Sequence, residues 1–542
     1  MIVWVYLPAR RSRALEEGLQ MFSQDLVKGL FATRACRRIG PSGGHASGSA
    51  PGTGWSSDAS GCWTMSGPLV FLNSYMNSSA ASHRTLALLA LVVSASRGLS
   101  FSRGKLSETG VICFAVVLGG LAVLLLFRTH WQGSSDSKGG FPTWQVVLPC
   151  AYVYIFCMNA GRELLVSSLE DWRPTLRLIT WTALVCSLPV LLTVSRRLRD
   201  LLQTRGQVAL LLLPLLPVAV PFLLVPSVSP APVIDVFLFE TQAARSLLFG
   251  LNPYTIDFVN VYSTADLYPT GSPDSYPYPP LSLLFALGGF LLGDVRWSLI
   301  ACHVAAAVLL AATARKRGLP ITEVLTFGTM FLYMPHAPFV SEQAWTDPSV
   351  AFGLALFSLL LARRQPQAAL WAAGFAIALK QTMVVLPPLL WGLWRRLNRT
   401  QLTAIFAISA VTYGLFILWD AEALWNDVVI FHMLTPFRDR AMTLSAYLLY
   451  FFEVGPLPSW LSLVGLVVGA ATAVRALRAD TQQDSPYTSD RVCRFFTGLA
   501  FALLLTLVLS KHAFMNYYYL VHFALIAALI WSRITDLEAK PA

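Results

Sequence analysis

Asp235 lies nine residues after Pro226, where an apolar run ends, and opens the stretch DVFLFETQAARSLLFGLNPY. A partly desolvated carboxylate at such an interface, within hydrogen-bond reach of a sugar hydroxyl, can take its proton as that hydroxyl attacks an activated carbon. The same residue equally suits a helix N-cap. Two more carboxylates, Glu342 and Asp347, stand in FVSEQAWTDPSV. They suit binding of sugar hydroxyls, positioning of an acceptor or holding of a divalent cation, although Asp347 before Pro348 is also an ordinary helix start. Lys380 and Gln381 separate two apolar runs, where an ammonium is costly and therefore a functional candidate. Lys511 and His512, in LSKHAFMNYYYL, and Arg438, beside Arg440 in TPFRDR, add further basic groups. Cations of this kind bind phosphate oxygens through charge-assisted hydrogen bonds, or simply anchor at an interface. Tyr254, closing GLNPY, and Tyr278, in SYPYPPLSLL, complete the set.

These groups need elements to hold them, and the composition says what kind. Of 542 residues 55% are apolar and only 13% charged, with a mean hydropathy of +0.58. A soluble domain has roughly 25% charged residues, so the solvent for most of this chain is lipid. Hydrophobic segments recur at 111–127, 143–160, 175–194, 208–226, 297–314, 321–335, 348–362, 401–419, 458–474, 495–510 and 514–532, with a weaker candidate at 85–96. Each approaches the ~20 residues that cross a ~30 Å hydrocarbon core. The runs 367–379 and 382–394 are too short to cross singly, and read as two helices that rise to one face and return, meeting at Lys380. The fold expected is an all-α polytopic bundle of about 11–14 transmembrane helices. Residues 236–249 are predicted to form an amphipathic helix stopped by Gly250.

Orientation follows from the basic residues. With the loop of Arg196, Arg197, Arg199 and Arg205 inside, 18 Lys/Arg fall on the inner face, against six outside from residue 227 onward. The positive-inside rule is satisfied only if 278–293 lies at or dips into the outer face without crossing. Outer loops at 227–296, 336–347 and 420–457 then hold 13 of the 29 acidic residues. The net charge of +11 thereby reports orientation, and nucleic acid is not needed to explain it. The eight cysteines form no CxxC pair, and five lie in apolar runs as small hydrophobes. His303, inside a span, reads as a packing or helix-pairing residue. No Walker loop, dinucleotide fingerprint or HExxH occurs, and no cofactor is expected.

The order of span, outer-loop Asp, amphipathic segment ending GLNPY, YPPLSLL segment and span ending in Arg315-Lys316-Arg317-Gly318 resembles the C-type-fold membrane glycosyltransferases. It is most similar to the bacterial polyprenyl-phosphate-mannose-dependent mannosyltransferases. The resemblance covers about residues 208–532. It implies Asp235 as catalytic base, Lys380 on a segment running up to the active site and an acidic residue in the second outer loop. It also implies a lipid-linked hexose, with mannose foremost, or a pentose as donor, an outer-face glycolipid or glycan as acceptor, and a multi-pass cell-membrane location with a cytoplasmic C-terminus. Residues 84–207 read as additional helices without a counterpart, and 533–542 as a cytoplasmic tail. Residues 1–83 read as a disordered extension, or as a stretch preceding a start at Met65 or Met76. Two other readings remain open. One is a transporter or flippase of a lipid-linked or anionic substrate, which calls for internal repeats or broken helices. The other is a non-catalytic assembly subunit, in which the same residues are caps and anchors.

Overall fold

The computed structural model describes residues 82–102, 105–126, 215–261, 274–335, 337–479 and 488–539, with a few positions between them. The expectations for 1–81, for the span 175–194 and for most of 143–160 lie outside the described residues. Sixteen helices carry the architecture: α1 His83–Ser102, α2 Glu108–Leu126, α3 Leu215–Val228, α4 Asp235–Leu248, α5 Pro280–Leu291, α6 Arg296–Lys316, α7 Ile321–Leu332 and α8 Ala337–Glu342. They continue as α9 Asp347–Ala362, α10 Pro366–Leu379, α11 Leu386–Trp394, α12 Arg399–Trp425, α13 Leu444–Phe452, α14 Leu461–Arg478, α15 Ser489–Val508 and α16 Met515–Glu538. Among the described residues there is no β-strand, only an isolated bridge between Lys105 and Ala441.

Six described helices are long and apolar enough to cross a membrane: α2, α6, α12 with its extension to Leu434, α14, α15 and α16. One expected span, 321–335, is shorter than its apolar run. Pro335 and Pro338 follow α7, which stops at 12 residues, or about 18 Å of rise. In the opposite direction, the weak candidate 85–96 is a 20-residue helix, α1, because Ser and Thr on its buried face find hydrogen-bond partners. The tail expected from 533 begins later: α16 runs on to Glu538, with Arg533 buried and paired to Glu323 at 2.9 Å. Arg296, counted among outer-loop charges, is likewise buried, bound to the Asp294 carboxylate and, at 2.7 Å, to the Ser229 carbonyl.

The core is built around α16, which packs on α15, α1, α9, α6 and α7. Small residues allow the closest crossings: a Cβ on Gly374 would meet the Ala404 carbonyl oxygen at 2.5 Å, and one on Gly469 would meet Ala502 Cα at 2.7 Å. His303 bonds Tyr519 Oη at 2.6 Å and the Leu332 carbonyl at 3.1 Å, joining α6, α7 and α16 as a helix-pairing residue. By contrast α12 and α14 show Val411, Leu415, Leu418, Leu463 and Val467 on the surface, an apolar exterior suited to lipid.

A second, smaller cluster covers one end of the bundle. Phe239 and Ala243 of α4, Tyr254, Phe258, Tyr268 and Tyr276 of the following segment, and Phe416, Leu424 and Val428 around the end of α12 form it. The predicted helix at 236–249 is α4, and Gly250 ends it at φ +73°, a conformation that L side chains rarely adopt. Residues 278–293 form the short helix α5, flanked by Pro279 and Gly293 and packed on α4, α6, α10 and α12. The two runs around Lys380 are α10 and α11, separated by Lys380 in extended conformation and a 3₁₀ turn at Gln381–Val385.

Candidate functional site

Asp235 occupies the first turn of α4. Ile234 is its N-cap and contributes no side-chain hydrogen bond, so capping in the strict sense does not explain the Asp. Its Oδ1 accepts from Val236 N at 2.8 Å, with the positive end of the helix dipole at its back. Tyr268 faces it: burial first, and then the Asp235 charge, hold the phenol above its usual pKa, while Arg438 pulls the other way. The half-buried Tyr278 is raised well above 10 by burial and by the charges of Asp235, Glu240 and Asp347. Asp235 and Asp347 thus act on one phenol from different elements.

Asp347 starts α9, with Thr346 as N-cap and Pro348 behind it. Its Oδ1 accepts from Lys380 Nζ at 2.7 Å, and the pair is almost wholly buried. Lys380 Nζ also lies 4.9 Å from the centre of the Tyr517 ring. Oδ2 of Asp347 has no hydrogen-bond partner among the described residues. Lys380, extended at the break between α10 and the 3₁₀ turn, meets this carboxylate.

Gln381 and Tyr254 both hydrogen-bond the chain around Pro277 and Tyr278. Gln381 Nε2 donates to the Pro277 carbonyl at 2.8 Å, and His432 Nε2 bonds the same oxygen at 2.9 Å. Asn252 Oδ1 accepts from Tyr254 N, which sets the turn, and Tyr254 Oη donates to the Tyr278 carbonyl at 2.9 Å. The proline-rich segment is therefore pinned from both sides, and Tyr278 is fixed between the two aspartates.

The remaining basic groups gather next to it. The His512 imidazole is pushed down to about 3, first by burial and then by His432, Lys511 and Arg438, so it is neutral at physiological pH. The second cationic point expected there is Lys511 and Arg438, with His512 as a neutral donor or acceptor. His512 Nδ1 has no hydrogen-bond partner among the described residues. Lys511 Nζ donates to the Met433 carbonyl at 2.7 Å, and burial lowers its pKa. Glu342, at the end of α8, is fully buried on the same loop as Asp347.

Three participants escaped the sequence reading: Tyr268, His432 and the Glu240 pair. Glu240 is buried on α4 and accepts from Tyr276 Oη at 2.8 Å, and burial raises it to about 8. It stands five residues after Asp235 on α4, on a different helix face, and nothing in the sequence marked it, Tyr268 or His432. Among the described residues no group of three or more His, Cys, Asp or Glu is disposed to hold a metal ion. The arrangement sets the Asp235 carboxylate beside phenols and a cluster of nitrogen bases, which suits an uncharged hydroxyl compound beside an anion. No protein-family model, curated protein or solved structure matches the chain.

Proposed function

We propose that the chain is a multi-pass membrane glycosyltransferase. It moves a hexose, mannose foremost, or a pentose from a polyprenyl-phosphate carrier to a hydroxyl of an outer-face glycolipid or glycan. The observation that carries this reading is that Asp235 and Arg438 act on one phenol, Tyr268, while Lys511 and the neutral His512 cluster with Arg438 at one end of an apolar bundle. In one in-line displacement, Asp235 accepts the proton of the acceptor hydroxyl while its oxygen bonds to the anomeric carbon. The bond from that carbon to the phosphate oxygen breaks, and its electron pair leaves with the polyprenyl phosphate. Lys511, Arg438 and the His512 imidazole stabilise the developing charge, with Lys380 behind them, and the single displacement inverts the anomeric centre. Tyr268 and Tyr278 flank the base and offer hydroxyls to the sugar.

The test is transfer in proteoliposomes supplied with labelled polyprenyl-phosphate hexoses and pentoses. Asp235→Asn keeps the shape and removes the base, and is expected to lower kcat by about 10²–10⁴-fold. Full turnover by a folded Asp235→Asn protein sinks the assignment.

The break at Lys380 favours a second reading, transport of a lipid-linked or anionic substrate, since transporters use interrupted helices at their sites. Movement of lipid-linked sugar across vesicles without a new glycosidic bond selects it over the first.

A further inference from the structure

Among the described residues, helices α1 and α2 have a specific attachment. The connection between α1 and α2 reaches the loop that bears Arg438: Leu106 N donates to the Arg440 carbonyl at 2.9 Å, and Lys105 forms an antiparallel bridge with Ala441. On its other side the same loop is tied to the segment before α16. Arg438 N donates to the Lys511 carbonyl at 3.3 Å, and Met442 N to the Ala513 carbonyl at 3.1 Å. Residues 438–442 are thus held between 105–106 and 511–513 by backbone bonds on both flanks.

Side chains support the same stack. Tyr518 Oη donates to the Met442 carbonyl, and its ring lies 4.5 Å from that of Phe114 on α2. Gly110, at the start of α2, lies so close that a Cβ there would come within 2.9 Å of Met442 Sδ and 2.8 Å of Ser107 Oγ. At their far end these helices are bolted to the bundle through Thr85, which donates to Asp536 at 2.7 Å, and through Arg84, which pairs with Asp490. The 438–442 loop exposes Asp439 and Arg440 but buries Ala441 and Met442, so backbone bonds and the contact of Met442 with α2 order it together.

We infer that the α1–α2 pair is a positioning element for the basic patch: its 105–107 turn holds the 438–442 loop so that Arg438 and Lys511 stay adjacent. The attachment itself assumes no chemistry, whereas its effect on turnover rests on the proposed function. Leu106 contributes only its N–H here, so the residue acts through the backbone it holds.

Hydrogen–deuterium exchange of the full chain in detergent tests it, comparing Leu106→Pro, which deletes the donor, with Leu106→Ala, which keeps it. Exchange in peptides covering 436–443 is expected to rise about tenfold or more in the proline variant alone, with peptides around Glu323 and Arg533 unchanged. If Leu106→Pro loses protection everywhere, Gly110→Val, which wedges Met442, replaces it and carries the same expectation. Unchanged exchange in 436–443 overturns the brace. In transfer assays KM for the lipid-phosphate donor is expected to rise about tenfold with Leu106→Pro and to be normal with Leu106→Ala. Raised exchange with an unaltered KM overturns the link to the site. Absence of transfer by the unaltered chain with every donor overturns the proposed function and leaves the exchange result standing.

Discussion

Buried charge is handled differently at the two ends of this bundle. At the end where α6 and α16 finish and α15 begins, basic residues meet acids. Arg533 binds both oxygens of Glu323, Asp490 lies between Arg84 and Arg494, and Arg317 reaches Ser489 and Glu538. Arg478 lies 3.5 Å from the centre of the Trp391 ring. At the other end, burial first and then three further bases push His512 down, and one oxygen of Asp347 and one of Glu240 are without hydrogen bonds among the described residues. The first end shows that this chain can balance arginines when balance is all that is needed. On the proposed function, the lipid-phosphate donor is what completes the second end.

Replacing ion pairs by apolar pairs puts the contrast under most strain. Asp347→Leu or Glu323→Leu alone leaves a buried cation and should cost about 3–5 kcal/mol, read by thermal unfolding in detergent. Adding Lys380→Met or Arg533→Met, respectively, should recover most of that stability. Transfer should recover only in the Glu323/Arg533 double variant; recovery in both would make the two ends equivalent. Next in size, His512→Ala should raise KM for the lipid-phosphate donor about 10–100-fold, as expected for a lost hydrogen bond to a charged group. Arg317→Gln should change KM less than twofold by the same reasoning.

The pH dependence of stability should differ in sign for two groups at the site end. His512 holds its proton only below about 3 when folded, against 6.5 ordinarily, so between these values the unfolded chain binds more protons. Its contribution is present above 6.5 and is lost as pH falls toward 3. Glu240 is raised to about 8 from 4.5, so its contribution is full below 4.5 and is lost as pH rises through 8. His512→Gln should therefore flatten the acid limb of a melting-temperature profile, and Glu240→Gln the alkaline limb. Profiles parallel to the unaltered protein would contradict these environments. The smallest effect belongs to the basic end, where Trp391→Leu should remove about 0.5–1 kcal/mol of cation–π attraction.

What could be read without coordinates was mostly one-dimensional. Apolar run length gave the long helices, Gly250 the end of α4, and the pair of short runs the break at Lys380. Run length failed at α1, which extends over His83–Ser102 and is held to α16 by Thr85 and Ser96 bonding Ser532 and His522. It failed again at Arg296 and Arg533, which look like loop charges until Asp294 and Glu323 are seen beside them. At the site, residues singled out by type, such as Asp235 and Lys511, sit among other titratable groups. Tyr254 and Gln381 turn out to hold the chain at Pro277 and Tyr278, a role no side-chain chemistry announces. His432 and Tyr268 were missed because each matters only through a neighbour far away in sequence.

The burial of α16 bears on how the protein is made. This helix contacts α1, α6, α7, α9 and α15, and it follows all of them in the chain. Synthesis runs from the N-terminus, so these helices enter the bilayer before the surface that unites them exists. Glu323 then has no Arg533, Lys380 no Tyr517 and Thr85 no Asp536. Until translation passes residue 538, these polar groups must be shielded by lipid headgroups, by one another or by an insertion chaperone.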